Sequence, residues 1–467
     1  MSKKLRFWLI FLIFLNGYIS LSFELIVLRQ LAFWVGSSAV ITSIIMGTFL
    51  GFMSLGYFLG SSEKIPNKKI KTILSASFII IATFACLAAS FPLVSGYFNW
   101  LLDHGVFSSV IQTFIFSFVL LSIGPFLFGF NTTLLSRYLH KYNTNYTGNI
   151  MAWDTIGSVV GSLLTTLLLM PFVGVNNTVS LIVLLAVLAA IITHPKWWVM
   201  FFGAVIIIPT VIINSDYVQR NRYGILVNNA LSTISVDEWF DGSRILFMNQ
   251  LPMSIMDDNG NTAMYTQAIN TMFINTLPND VPQNILVLGA GGFSVGLHDT
   301  FNSYTYVDVE PTLKDISEKY FLKYELTPNK KFVVQDASQF LKNTPDKYKI
   351  IVLDVFSNSY QIPEGLITAE FMERLKSHVD ADGILVVNVI QSWTFKDKWS
   401  QVFDNTFRVV FGNNYTRYVP SMPNPWYGDD VTNVLYVWFN SGRTDRIYTI
   451  NRTPVIYDRY VDVLRVR

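Results

Sequence analysis

The first 213 residues carry too few charged side chains for an ordinary water-exposed domain. They contain 11 Lys/Arg and only 4 acids (Glu24, Glu63, Asp103 and Asp154), whereas the other 254 residues contain 23 Lys/Arg and 28 acids. The two parts therefore have formal charges of about +7 and −5, which the net charge of +2 conceals. Such scarcity of charge is typical of membrane-spanning segments. We therefore expect a transmembrane domain over residues 1–213 and one globular domain of ordinary size after it.

Long apolar stretches fill this first part of the chain. A helix crosses a bilayer with about 20 apolar residues, and we find seven such stretches, near 8–29, 38–60, 72–95, 108–136, 150–173, 177–194 and 197–213. The first is too long, and too poor in small residues for a cleavage site, to be a signal peptide. Gly124-Pro125 predicts a kink in the fourth stretch. Glycines four residues apart predict close helix packing; the pairs are Gly47/Gly51, Gly56/Gly60 and Gly157/Gly161.

The distribution of positive charge predicts the orientation in the membrane. Lys and Arg precede the first stretch and occur in the second, fourth and sixth loops, whereas the third loop (96–105) and the fifth (174–177) have none. Because cytoplasmic loops carry the excess of Lys and Arg, we expect a cytoplasmic N-terminus in a plasma (inner) membrane. Seven spans would place the globular domain outside. The last two stretches are short, and if they form one re-entrant or interfacial element the domain lies in the cytoplasm.

Three ionisable residues lie in or beside the apolar stretches: Glu24, Arg29 and Asp154. Charges in membrane spans usually face a bundle interior and are paired. One interpretation is structural: Arg29 extends to the membrane surface, Glu24 supports a helix contact and Asp154 caps the fifth helix. The other is a polar membrane site for a small cationic substrate.

The part after residue 213 has an alternating α/β pattern. A polar linker (214–222) leads to short strand-like runs at 232–239, 244–250 and 253–256, which predict a small β-hairpin layer within a connecting segment at 223–282. From 283 to 467 we predict one domain with strands at 285–288, 304–307, 331–334, 349–354 and 383–389. Helical patterns lie between them at 311–323, 337–343, 368–379 and 395–408. This order predicts a parallel sheet with its ligand at the carboxyl ends of the strands.

Glycines or carboxylates follow four successive strands, which predicts a nucleotide or nucleoside site. Glycine lets a backbone approach a ligand, and an acid can accept hydrogen bonds from ribose hydroxyls or from the adenine amino group. The alternative is that these acids bind only backbone N–H groups at the starts of loops. The candidates, in chain order, are Gly289, Gly291, Gly292, Asp308, Asp336, Ala337 and Asp354.

Cysteine content and charge patterning exclude several classes of site. Cys86 is the sole cysteine, so neither an intrachain disulfide nor a thiolate metal site can form, and we expect no metal. The chain has no basic patch that would indicate a nucleic-acid partner.

At this point the residues resemble a known family: spermidine synthase-like (polyamine aminopropyltransferase) proteins with an N-terminal multi-pass membrane domain. Residues 15–61 (LNGYISLSFELIVLRQ and onward) resemble its opening signature, and 154–174 resemble its fifth span, where the family usually has Asn at Asp154. Residues 244–269 resemble the segment that leads into the polyamine cleft, and 333–389 resemble the adenine and active-site segments. The resemblance implies a Rossmann-like methyltransferase fold with a small β layer.

The resemblance also implies a ligand, a substrate and partners. The ligand would be decarboxylated S-adenosylmethionine, S-adenosylmethionine or methylthioadenosine, and the transferred group an aminopropyl chain. The acceptor would be a polyamine or another small cation, and the partners the lipid bilayer and a second copy in a homodimer. Asp354 is then the candidate catalytic acid, and Tyr265 lines the amine channel.

The residues that would bind the amine substrate differ from those of the family. Soluble members have D-S-S-D, whose second Asp is replaced here by Ser357, and an Asp in the glycine loop that is replaced by Gly292. Met253 stands for a Gln and Thr266 for a His. The remaining acids that could serve an amine are Glu364, Asp257, Asp258, Asp429 and Asp430. The alternative function is therefore a polyamine or small-cation transporter, or a membrane sensor, whose globular domain binds a nucleoside without turnover.

Overall fold

The computed structural model describes residues 3–36, 38–62, 65–66, 69–140, 147–356, 362–421 and 430–440. The chain divides into two compact units, Met1–Ser235 and Val236–Arg467. We call them the N-terminal unit and the C-terminal unit. The boundary lies within the segment at 223–282 that the sequence analysis assigned to the small β layer.

The N-terminal unit is a bundle of helices that ends in a β-hairpin. Among the residues that the structure describes, five helices are long and apolar enough to cross a membrane, or up to seven if each bent pair is one span, by length and composition. The hairpin strands are antiparallel. The elements are α1 (Lys3–Val35), α2 (Ala39–Gly60), α3 (Ile70–Ala89), α4 (Phe91–Asp103), α5 (Ser109–Phe116), α6 (Ile123–His140), α7 (Thr147–Leu164), α8 (Val175–Thr193), α9 (Trp197–Ile213), α10 (Asp216–Tyr223), β1 (Ile225–Asn228) and β2 (Thr233–Glu238).

The predicted kink is confirmed. The segments Ser109–Leu121 and Ile123–Leu139 meet at 42°, and the last turn before the bend, Ser117–Leu121, is π-helical. Pro125 has no N–H for a helical bond to the carbonyl four residues earlier. The helix therefore bends where that bond is missing.

The glycine pairs divide into two groups. A Cβ added to Gly56 would collide with the carbonyl oxygen of Phe126, and one added to Gly157 with that of Phe14. These glycines allow α2 to pack on α6 and α7 on α1. Around Gly47 and Gly51 no described atom lies within 4 Å of such a Cβ, so the predicted close contact is wrong for that pair.

Two segments predicted as irregular are helical. Helix α4 covers most of the predicted third loop, with Pro92 in its first turn, where proline is pre-organised for a helix. Helix α10 replaces the predicted linker. The Ser215 side chain accepts a hydrogen bond from the N–H of Val218, and Gly224 ends the helix with φ 65°. These are ordinary start and stop signals, which the polar composition of the segment obscured.

The C-terminal unit contains a seven-stranded sheet in the order β10-β11-β9-β8-β5-β6-β7. Its neighbours from β9 to β7 are parallel, whereas β11 is antiparallel to both β9 and β10. This topology confirms the predicted Rossmann-like methyltransferase or spermidine synthase-type fold. The strands are β3 (Arg244–Met248), β4 (Leu251–Met256), β5 (Asn284–Leu288), β6 (Ser303–Asp308), β7 (Lys330–Val334), β8 (Tyr348–Leu353), β9 (Val379–Ser392), β10 (Tyr415–Tyr418) and β11 (Val431–Phe439).

Helices cover the sheet, and an antiparallel hairpin of β3 and β4 precedes it. The hairpin turn contains Asn249 and Gln250 with φ of 49° and 68°, which two-residue hairpin turns require. The helices are α11 (Met264–Ile269), α12 (Leu313–Ile316), α13 (Ala337–Asn343), α14 (Ala369–Ser377) and α15 (Lys398–Phe411). Residues 441–467 of the predicted domain lie outside the described residues.

Candidate active site

The order of the strands in the seven-stranded sheet indicates where a ligand would bind. The chain runs from β5 outward to β6 and β7 and then returns to β8 on the other side of β5. Ligands of such sheets bind in the crevice at this reversal, beyond the carboxyl ends of the strands. Gly289 follows β5 and Asp354 follows β8, and the two strands are joined there by a hydrogen bond from the Asp354 N–H to the Leu288 carbonyl (2.8 Å).

The loop after β5 has backbone angles and close contacts that require glycine. Gly289 has φ 90°, and a Cβ there would collide with the backbone oxygen of Asp354. Gly291 has φ 48°, and the Gly292 N–H donates to the Ser254 hydroxyl (2.8 Å). The loop therefore lies against β4 at a distance that side chains would prevent.

Asp308, at the end of β6, binds this loop. Its Oδ2 accepts from the Ala290 N–H (3.0 Å) and its Oδ1 from the Glu310 N–H (3.1 Å). Burial raises the pKa of the Asp308 carboxyl, and the backbone hydrogen bonds oppose that rise. Each carboxylate oxygen keeps a further lone pair, so ribose binding stays a prediction beside these structural bonds.

Asp336 caps helix α13. Its Oδ1 accepts from the Gln339 N–H (3.0 Å), and its side chain is exposed, whereas Ala337 is buried. This capping role is the bond that the structural interpretation predicts. A contact of Asp336 and Ala337 with adenine stays a prediction.

Asp354 is held by two side chains. The Tyr265 hydroxyl donates to Oδ2 (3.0 Å), and the Asn388 amide donates to Oδ1 (2.8 Å). Burial raises the pKa of Asp354 to about 6, although both hydrogen bonds lower it. Burial and the charge of Asp354 raise the pKa of Tyr265 well above its usual value. The site thus contains a fixed carboxyl that changes protonation near neutral pH, as a general base should.

A cavity of about 470 Å³ opens beside this carboxyl. It brings together Gly291, Tyr265 and Asp354 from the predicted site, and Met253 lines it too. The other predicted ligand residues are not among the residues that line it; these are Gly289, Gly292, Asp308, Asp336 and Ala337. The cavity therefore contains the residues that the family resemblance assigns to the amine, and few of those that it assigns to the adenosyl group.

The further acids differ in position. Asp257 lines the cavity, but both of its oxygens bind Asn261 (2.7 and 2.8 Å), and these bonds lower its pKa. Asp430 binds the hydroxyls of Ser392 and Thr394 and is not among the lining residues. Asp258 is exposed at the surface.

Two further candidate acids, and the serine that replaces the second Asp of the family motif, cannot be placed in the site. Ser357, Asp429 and the side chain of Glu364 lie outside the described residues. Within the described ranges, no group of three or more His, Cys, Asp or Glu side chains could hold a metal ion.

The three residues of the predicted polar membrane site have separate surroundings in the N-terminal unit. Arg29 donates to the Asn229 carbonyl (2.7 Å) and to the Thr233 hydroxyl (3.1 Å), at the β1–β2 turn. Glu24 is buried. Asp154 lies inside α7 rather than at its first residue, so the predicted helix-capping role is wrong.

Sequence reasoning missed Asn388. Its signal was present: it is the one amide within the apolar run GILVVNV at 383–389. A polar side chain in a buried strand needs a partner, and the partner here is the catalytic candidate.

Comparison with known proteins finds a match over the segment that contains Tyr265, Asp354 and Asn388. Residues 262–433 match the family model of the spermine/spermidine synthase domain. This segment of the C-terminal unit is therefore similar to the spermine/spermidine synthase domain. The polyamine aminopropyltransferase of Vibrio vulnificus is 30% identical over 164 residues, which are 34% of this chain and 53% of that protein. The chain thus spans about half the length of this relative.

A second relative matches over both units. Polyamine aminopropyltransferase 2 of Aquifex aeolicus is 23% identical over 411 residues, which are 80% of this chain and 77% of that protein. Among solved structures, a probable spermidine synthase from Corynebacterium glutamicum has 17% identity and a TM-score of 0.39, and covers 50% of this chain and 92% of its own. A spermidine synthase in complex with the transition-state analogue AdoDATO has 14% identity and a TM-score of 0.38, and covers 50% of this chain and 82% of its own.

Proposed function

We propose that this protein is a membrane-anchored aminopropyltransferase. It transfers the aminopropyl group of decarboxylated S-adenosylmethionine to a primary amine of a polyamine. The observation that carries the proposal is the Asp354 carboxyl, held at 3.0 Å by Tyr265 and at 2.8 Å by Asn388 beside the cavity. The matched domain and the aminopropyltransferase relatives supply the reaction class.

The reaction requires one proton transfer and one substitution. The amine arrives as an ammonium ion, and the Asp354 carboxylate takes one proton from it. The freed lone pair attacks the carbon next to the sulfonium. A C–N bond forms, the C–S bond breaks, and its electron pair stays on sulfur, which leaves as neutral methylthioadenosine. A carboxyl with a pKa of about 6 accepts that proton at neutral pH and releases it to solvent afterwards.

The two sides of the site have different roles in this proposal. Asp308, Asp336, Ala337 and the glycine loop bind the adenosyl part of the donor, because they surround the carboxyl ends of β5, β6 and β7. The cavity beside Asp354 takes the amine. Its walls also contain Met253, Met264 and Ile390, which suit the methylene chain of a polyamine.

We also propose that the N-terminal unit anchors the enzyme in the plasma (inner) membrane. The apolar helices support this, as does the scarcity of charge in residues 1–213. The Lys/Arg distribution supports a cytoplasmic N-terminus and, if all seven stretches cross the membrane, an external C-terminal unit. Supply of the donor, which is made in the cytoplasm, favours the alternative in which 177–213 do not cross twice and the C-terminal unit is cytoplasmic. A homodimer rests on the family resemblance alone and is tested by the mass of the detergent-solubilised protein.

The decisive variant is Asp354→Asn, which preserves size and removes the capacity to act as a base. We expect turnover to be lost and the binding of methylthioadenosine, measured by calorimetry, to stay within about threefold of wild type. Undiminished aminopropyl transfer in the variant would show that Asp354 is not the base. Wild-type protein that binds methylthioadenosine but turns over no donor with any polyamine would favour the non-catalytic sensor instead.

A further inference from the structure

A cluster of buried and half-buried polar side chains lies within the N-terminal unit and shares no residue with the site described above. Helices α1, α6 and α7 contribute Asn16, Thr132 and Asp154, which contact one another. Asn16 and Thr132 are 1% and 8% exposed, whereas Asp154 is half-buried. A second layer extends the cluster to α3, since Asn131 donates to Asn16 and accepts from Ser77. Polar groups are costly in a membrane bundle and usually have a function there.

The hydrogen bonds to the Asp154 carboxylate are long and shared. The Asn16 amide, with two hydrogens, faces three acceptors: the Phe128 carbonyl (3.3 Å), the Thr132 hydroxyl (3.1 Å) and Asp154 Oδ1 (3.3 Å). The Thr132 hydroxyl, with one hydrogen, faces the Phe128 carbonyl (3.1 Å) and both Asp154 oxygens (3.5 Å each). Distances above 3.2 Å exceed the usual range of a hydrogen bond. The carboxylate is therefore weakly solvated by the protein.

Among the side chains that the structure describes, no basic group forms an ion pair with Asp154. The ion pairs within the described ranges all lie elsewhere. An anion in a low-dielectric interior needs a positive partner. The cluster offers such a partner an oxygen surface made of the Asp154 carboxylate, the Thr132 hydroxyl and the Phe128 carbonyl.

We propose that this cluster binds one monovalent cation, either an alkali ion or a primary ammonium. Oxygen donors are the ligands that hard cations prefer. A single carboxylate balances a single positive charge, and three acceptors match the three N–H groups of an ammonium. Cation binding requires the Asn16 Nδ2 to give up its long bond to Asp154 (3.3 Å), while the Asn16 Oδ1 keeps the bond from Asn131 (3.5 Å). In the cation-free state the same amide donates to the carboxylate in place of the cation.

The test is thermal unfolding of the purified full-length protein in detergent. NaCl, KCl or methylammonium chloride is titrated against choline chloride at constant ionic strength and pH, since the quaternary nitrogen of choline has no N–H. We expect a saturable rise in unfolding temperature with at least one of the three salts, because a cation that binds only the folded state stabilises it. The salt that acts distinguishes an alkali ion from an ammonium.

Variants of the cluster test whether it causes the salt-dependent rise in unfolding temperature. Asp154→Asn should abolish the salt-dependent rise, and Thr132→Val should increase the half-saturating concentration at least tenfold. Thr133→Val is the matched control, because the Thr133 hydroxyl donates only to its own helix, to the carbonyls of Gly129 and Phe130 (3.0 Å each). If Asp154→Asn does not fold, the comparison of the two threonine variants decides. A wild-type protein indifferent to all three salts would overturn the proposal, as would an unchanged response in Asp154→Asn or in Thr132→Val.

Discussion

The variant Tyr265→Phe tests the electrostatics of the site most finely. It removes one hydroxyl and leaves the ring in place. The hydroxyl donates to Asp354 Oδ2 at 3.0 Å, and this bond lowers the pKa of Asp354 against the larger effect of burial. Without it, the carboxylate is less stabilised than the carboxylic acid.

The size of the effect follows from two magnitudes. A hydrogen bond to a charged group contributes about 1.5–3 kcal/mol, and about 1.4 kcal/mol corresponds to one pKa unit. The Asn388 bond to Oδ1 stays and water can enter the cavity, so we expect the lower end of this range. The pKa of Asp354 should rise from about 6 by about one unit.

The sign of the pH dependence is fixed by the role of Asp354. A general base acts when it is unprotonated, so a raised pKa moves the acid limb of the kcat/KM profile to higher pH. The assay is methylthioadenosine release by purified protein between pH 5 and pH 9. We expect the variant to lose about tenfold below pH 6 and much less above pH 8. An acid limb that stays in place or moves to lower pH would refute the assignment.

The control is Tyr306→Phe. Its hydroxyl donates to the Val295 carbonyl (2.7 Å), within the core and not to Asp354. We expect its acid limb to coincide with that of the wild type. A shift of equal size in both variants would mean that lost stability, and not the bond to Asp354, moved the profile.

Three other predictions concern the donor side, the helix contacts and the topology. Asp308→Ala leaves two loop N–H groups without their acceptor and should weaken methylthioadenosine binding by about 1–3 kcal/mol; calorimetry that shows equal affinity would contradict this. Gly56→Ala places a methyl group on the Phe126 carbonyl and should lower the unfolding temperature in detergent, whereas Gly47→Ala, in open space, should not. A reporter that is active only outside the cell, fused after Arg467, should be active; activity of a cytoplasmic reporter alone would mean that 177–213 do not cross twice.

The globular fold could be predicted because its signals are local. The runs at 285–288, 349–354 and 383–389 are apolar and bounded by turns, and buried parallel strands need no other signal. Strands β10 and β11 were missed, since β10 is short and β11 carries polar residues among its apolar ones. Helix α10 was missed because the polar composition of residues 214–222 suggested a linker. Ser215 and Gly224, which mark the ends of the helix, were the signals that indicated otherwise.

The sequence predicted those residues of the candidate site whose positions follow from the strand topology. Gly289 and Asp354 follow strands whose carboxyl ends meet at the reversal of strand order, so their proximity follows from the topology. The partner Asn388 depends on the register of β9 against β8 and on the neighbouring side chains, which no single-sequence pattern encodes. The same holds for Asp154, whose contacts come from two other helices that are distant in sequence.

The central claim is aminopropyl transfer, and identification of the products tests it most directly. Purified full-length protein is incubated with decarboxylated S-adenosylmethionine labelled in the aminopropyl chain and with a panel of diamines and polyamines, and both products are quantified by mass spectrometry. We predict methylthioadenosine and a labelled, aminopropylated amine in equal amounts, with neither formed by Asp354→Asn. Methylthioadenosine without a labelled amine, or a methylated amine formed from S-adenosylmethionine in its place, would contradict the proposed reaction.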